Sequence, residues 1–302
     1  MHIPDGFLST SVWAAFDAIS LTAVGYLSRR AKSTAANARI PLMGVMGAFV
    51  FAAQMINFPV GLGTSGHLLG GAMLAITVGP VSASLVLSVI LAIQALVFQD
   101  GGILAWGANV FNMALCGVWS GYLPYYFWSK GRLRTISIFL GGFISVFLGA
   151  ILALLMLKVS GAPITAAISG ISIGLFGITG ILEGVITVAV LGAIEKMNPT
   201  WVEGSHTDLL PVRKLLLGVA VALALVGILF ASAMPGGLEK VAEKTGIAKQ
   251  TIYLFETPLK DYELSLVSSS YFRQATAGLI GLGLVYAGCL LLSRLLTRQR
   301  GS

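Results

Sequence analysis

Apolar segments long enough to cross a bilayer recur from one end of this chain to the other. Candidate spans fall near residues 12–28, 41–59, 66–79, 81–98, 103–128, 135–157, 171–194, 212–233 and 275–292, nine in all. A crossing needs about 20 apolar residues at about 1.5 Å rise each. Segment 66–79 is too short for a full crossing. It is expected as a partial helix, or as one walled in by other parts of the protein. Residues 161–170, ahead of the seventh segment, are an ambiguous entry. Only 10% of the 302 residues are charged, against about 25% in soluble domains. Such a chain lacks the polar surface to surround itself with water. A soluble enzyme, a nucleic-acid reader and a disordered scaffold are excluded. An all-α polytopic membrane protein, with the lipid bilayer as its solvent, remains.

The net charge of +7 matters less than where the charges sit. Arg29, Arg30, Lys32 and Arg39 follow the first span, and Lys130, Arg132 and Arg134 the fifth. Arg213 and Lys214 follow the seventh, and Arg294, Arg298 and Arg300 form the tail. Connections 60–65 and 99–102 carry no Lys or Arg. Because basic residues collect in cytoplasmic loops, this alternation predicts the N-terminus outside and the C-terminus in the cytoplasm.

Two blocks are expected. Residues 1–197 hold seven spans, 198–210 form a polar cytoplasmic linker, and 211–302 hold two spans around an outer loop, 234–273. Leu238, Val241 and Ala242 have helical spacing in that loop, and Gly246 is a plausible stop. Gly117/Gly121 and Gly170/Gly174 are spaced for close helix packing. Cys116 and Cys289 lie in apolar runs without a paired spacing, which counts against a disulfide or a thiolate metal site.

No Lys or Arg precedes the first apolar stretch, which contains Asp17 and lacks a small-residue cleavage site. A removable signal is therefore not expected, and the bulk of His2 is expected to hinder loss of the initiator Met. A free Met1 amine at the outer face follows. The opening Met1-His2-Ile3-Pro4-Asp5-Gly6 then offers the α-amine, the His2 amide and the His2 imidazole, which can close two small chelate rings on one metal. A planar nitrogen set suits nickel(II) or copper(II). Pro4-Asp5-Gly6 is a turn able to fold these groups back into a bundle. Of the other histidines, His67 falls on the same side and His206 in the cytoplasmic linker. Met1, His2 and His67 thus form a candidate metal site. The bland alternative is an incidental Met-His terminus and a polar residue at a helix end. Proton release on binding predicts weaker capture below about neutral pH.

Gly61-Leu62-Gly63-Thr64-Ser65-Gly66 matches a dinucleotide fingerprint but lacks the acidic residue about 20 positions on. Its glycines are read as letting the loop pass close to the folded N-terminus. No Walker A motif occurs, since Lys244-Thr245 follows Glu243, and H-E-x-x-H is absent. Polar residues inside spans are Gln54, Asn57, Gln94, Asn109, Asn112 and Glu183. Interhelical hydrogen bonds are their ordinary use. Gln54, Asn57 and Asn109 are also candidates to orient the imidazoles. Glu183 needs a partner that the sequence does not name.

The Met1–Gly6 opening, the seven spans and Gly66-His67 together resemble the CbiM/NikM family, the substrate-capture component of cobalt and nickel energy-coupling-factor (ECF) transporters. The last third is similar to the NikN-type PDGLE component, reading Pro235-Gly236-Gly237-Leu238-Glu239 with Gly236 in place of Asp. The resemblance implies a seven-helix S-component bundle with two further helices, and a Ni²⁺ or Co²⁺ substrate held by Met1, His2 and His67. It implies that a membrane coupling protein and cytoplasmic ATPase subunits drive release, and that this chain is not itself an enzyme. The NikN-like tail and the planar nitrogens favour nickel. The competing reading is a stand-alone secondary transporter or channel for a divalent cation, with Glu183 as its one central carboxylate.

Overall fold

The computed structural model describes residues 1–34, 40–197, 210–232 and 234–298. Arg39, most of the linker, His206 and Arg300 lie outside the described residues. The chain is mostly helical: α1 (Thr10–Thr34), α2 (Ile40–Gln54), α3 (Gly71–Val78), α4 (Pro80–Ile93), α5 (Trp106–Asn109), α6 (Val118–Trp128), α7 (Arg134–Val159), α8 (Ala166–Met197), α9 (Leu210–Leu225), α10 (Gly237–Thr245) and α11 (Ser270–Arg298). A hairpin of β1 (Phe58–Gly61) and β2 (Thr64–Gly66) is the one sheet among the described residues. Four stretches are long and apolar enough to cross a membrane, Pro80–Phe98, Gly131–Val159, Ala166–Met197 and Ser270–Leu296. The chain is a multi-pass, helical membrane protein.

The other predicted spans meet helices that are shorter or more polar. Segment 66–79 becomes the eight-residue α3, buried along almost its whole length by other helices. Segment 41–59 stops at Gln54, because the chain turns into β1 at Phe58. Segment 212–233 stops at Leu225, where a 3₁₀ turn at Gly227–Phe230 leads into extended backbone at Ala231. The entry at 161–170 resolves into a loop followed by helix from Ala166. Two helices loosen into π turns, Gln94–Phe98 after α4 and Val110–Gly117 between α5 and α6. Gln99, in the left-handed region with φ 54°, ends the first of these.

The main core gathers α2, α3, α4, α7 and α8 with α9 and α11, through residues such as Met46, Phe51, Leu74, Leu216 and Val285. Helices α9 and α11 are therefore part of the same packed body. Close approach uses the small residues unevenly. A Cβ on Gly121 would stand 2.9 Å from the Gly141 carbonyl of α7, whereas Gly170 and Gly174 face open space. Spacing alone did not distinguish the two pairs.

Candidate metal site

The first six residues fold back into the bundle because their main chain finds partners there. Asn109 accepts from Ile3 N at 2.8 Å and donates to Ile3 O at 3.0 Å. Gly102 N also donates to Ile3 O, at 2.8 Å. The Asp5 carboxylate accepts from Ile103 N at 2.9 Å and Ala105 N at 3.0 Å. Gly6 completes the turn at φ 90°. The glycines that admit this segment are Gly101 and Gly102, not those of the 61–66 hairpin. A Cβ on Gly101 would meet His2, and one on Gly102 would stand 2.5 Å from Asp5 N. Gly66 instead packs on Thr179 of α8.

The turn delivers the Met1 amine to 2.8 Å from His67 Nε2. Two nitrogens bound at right angles to one metal, each about 2.0 Å from it, stand about 2.8 Å apart. His67 Nδ1 lies 2.9 Å from the Leu68 carbonyl. That bond places the ring proton on Nδ1 and leaves the Nε2 lone pair facing the amine. His67 sits in the loop before α3, not inside a helix. Burial, then the Met1 amine and His2, lower its pKa to about 3. Burial also lowers the Met1 amine, against the opposing pull of Asp100 and Glu239. Both groups are biased toward the unprotonated forms that bind metal.

The His2 ring is buried and lies parallel to His67, with centroids 5.3 Å apart and planes 4° apart. Its Nδ1 is 3.0 Å from Asp100 Oδ1, while its Nε2 is buried without a hydrogen-bond partner. A chelate through the amine and the His2 amide needs Nδ1, since only that nitrogen closes a small ring. The amine and His67 Nε2 stand within hydrogen-bond distance of each other, and the His2 Nδ1 faces Asp100 instead. Burial works to raise the Asp100 carboxyl, but His2 and hydrogen bonds from His2 and Tyr262 hold it well below the ordinary range. Among the described residues, no three His, Cys, Asp or Glu side chains gather as a metal cage. A metal here has to draw on main-chain nitrogen.

Of the three candidate orienting residues, Asn109 and Gln54 bond the main chain next to the candidate ligands, and Asn57 does not. Asn109 grips Ile3. Gln54 Nε2 donates to Leu69 O at 2.8 Å, and its Oε1 accepts from Gln94 at 2.9 Å. Asn57 lines the cavity beside the site, and its carbonyl accepts from Ser232 N. Glu183 has its partners. Fully buried on α8, it accepts from Leu69 N and Gly70 N, both at 2.7 Å, and so fixes the loop carrying His67.

Sequence reasoning missed Asp100 and Tyr262. The Tyr262 hydroxyl donates to Asp100 Oδ2 at 2.6 Å and accepts from Gln94. The chain after α9 touches each ligand-bearing segment. Ser65 N donates to Pro235 O at 2.9 Å, and Ser65 Oγ to Met234 O at 2.7 Å. Ile252 N donates to Asp5 O at 3.0 Å. The Pro235–Glu239 motif thus docks on β2, two residues before His67. Its Glu239 side chain accepts from Gly236 N and caps α10, which Gly246 ends at φ 77°.

Residues 2–201 match the family model described as the cobalt uptake substrate-specific transmembrane region, CbiM. The chain belongs to this family. Residues 212–298 match the PDGLE domain, so the chain is a CbiM/NikM-type component fused to a NikN-like one. It is 36% identical over 297 residues to the putative fused nickel transport protein NikMN of Archaeoglobus fulgidus, covering 95% of this chain and 96% of that protein. It is 29% identical to the fused nickel transport protein NikMN of Rhodobacter capsulatus, with both chains covered end to end. A solved structure described as a truncated transition metal transporter superposes with TM-score 0.58 at 31% identity, over 65% of this chain and 99% of that one.

Proposed function

We propose that this chain captures a divalent transition-metal ion, nickel ahead of cobalt, as the substrate-binding subunit of an ATP-driven ECF importer in the cell membrane. The observation that carries the proposal is the Met1 amine standing 2.8 Å from His67 Nε2, the spacing of two adjacent ligands on one metal. His2 supplies the remaining nitrogens once its ring leaves Asp100. A planar nitrogen set favours nickel, and the names of the fused relatives agree with it.

Nine spans with the basic loops inside put the amine and the hairpin outside and the C-terminus in the cytoplasm. Residues 1–197 form the capture component, 198–210 the linker and 211–302 the second component, whose loop steadies the segments that carry the ligands. The sequence has no nucleotide-binding motif. Energy then comes from partners, a membrane coupling protein and cytoplasmic ATPase subunits. The stand-alone secondary transporter has less support. It needs a free carboxylate in the membrane interior, and Glu183 spends both oxygens on Leu69 and Gly70.

Nickel uptake by cells carrying this chain with and without the coupling and ATPase subunits tests the proposal. Accumulation only in their presence is expected. Equal, ion-gradient-driven uptake without them would favour the secondary transporter.

A further inference from the structure

A cavity of about 440 Å³ separates the two components, and Met1, His2 and His67 lie along its wall. Carboxylates from both components line it. Asp100 comes from the first component and Glu239, Glu243 and Asp261 from the second, and no Lys or Arg lines it. Lys240 pairs with Glu243, one of these carboxylates, at 3.1 Å, and Lys260 sits 3.8 Å over the ring of Tyr253, which also lines the cavity; Glu239 and Asp261 make no ion pair among the described residues. Glu239 accepts from Gly236 N. Asp261 is held at φ 54°, an unusual backbone conformation for a residue with a side chain. A second feature is a buried ring nitrogen. The buried His2 lines this cavity, and its Nε2 has no hydrogen-bond partner.

We propose that this cavity is a vestibule that holds a hydrated divalent cation before the cation reaches the Met1–His2–His67 nitrogens. The proposal rests on reading those nitrogens as the capture site. A dication with six waters, at about 30 Å³ each, occupies roughly 180 Å³ and fits the space. The carboxylates do not close into an inner-sphere cage, so they address the ion through its waters. The vestibule therefore attracts dications by charge without choosing among them. Choice is made at the nitrogens, where the water shell is stripped. A cleft of one charge sign with low-dielectric walls raises local ion concentration and on-rates about 10- to 1,000-fold, and salt screens the effect.

The test is stopped-flow binding of Ni²⁺ to the purified full chain over a range of ionic strength. Asp261→Asn, Glu239→Gln and the double variant are compared with the unaltered chain. Asn tolerates a positive φ, and Gln retains an oxygen for Gly236 N, so both remove charge with little change of shape. Each single variant is expected to bind about threefold more slowly at low salt and the double about tenfold, the lower end of electrostatic steering. Off-rates are expected to stay within about twofold, as for charges that steer an ion without gripping it. Millimolar Mg²⁺ is expected to slow the unaltered chain but not the double variant. Normal nickel binding with on-rates indifferent to the substitutions and to salt would overturn the vestibule alone. No nickel binding by the unaltered chain would overturn the capture reading and the vestibule with it.

Discussion

His67 and the Met1 amine stand part-buried at the candidate site. Taking an amine or imidazole out of water disfavours its protonated form, so protons compete less with a metal in this site than in a free peptide. The pH at which nickel is half displaced is expected to lie lower for the folded chain than for a Met-His-Ile peptide, and paired titrations with a metal indicator would check it. Gly102 bears on the same N-terminal turn. A Cβ there would stand 2.5 Å from Asp5 N, so Gly102→Ala is expected to push the N-terminal turn outward. At least about a tenfold loss of nickel affinity, as for lost support around a metal ligand, is expected with the helical circular dichroism unchanged. As candidates, Met1, His2 and His67 were legible in the sequence, because a free amine followed by His is a chemical signature wherever the chain goes. Asp100 and Tyr262 were not, since they meet across 162 positions and a lone Asp or Tyr carries no local pattern.

Among the elements, α8 does more than span. Its Glu183 holds both N–H groups at the entry to α3, two and three residues beyond His67. Gln has one acceptor oxygen where Glu has two. Glu183→Gln therefore leaves one buried N–H unpaired, at a cost of about 1–3 kcal/mol. A lower melting temperature in detergent and weaker nickel binding are expected, measured by thermal unfolding and calorimetry. The sequence flagged Glu183 as a buried acid in want of a partner, but its partners are main-chain donors, which leave no mark in side-chain identity. Hydropathy located the apolar segments well. It overran at 55–59 and 226–232, where the backbone leaves the helix for a hairpin or a 3₁₀ turn while most side chains stay apolar. The 61–66 glycines were read correctly as conformational, and Gly61, Leu62 and Gly63 do adopt positive φ. Their packing partner is α8 rather than the N-terminus.

At the scale of the molecule, the two components share one core and one site. Helices α9 and α11 pack on α2, and the loop between them reaches β2, the N-terminal turn and Asp100. Tyr262→Phe removes only the hydroxyl linking that loop to Asp100. A hydrogen bond to a charged group is worth about 1.5–3 kcal/mol, and the loss is expected to change nickel affinity about tenfold or more without altering helix content. The family resemblance found this partnership in outline through Pro235–Glu239. The contact with Asp100 lies further along the chain, at Tyr262 in the stretch Pro258–Glu263, which the resemblance also covers. The most direct measurement of the whole account is calorimetric titration of Ni²⁺ into the chain beginning at Met1 and into the same chain with one residue added before it. The amine of the added residue falls outside the chelate, so binding is expected to weaken by orders of magnitude, with His67→Ala matching that loss and His206→Ala showing none. Equal affinity for the extended and the free chain would contradict it.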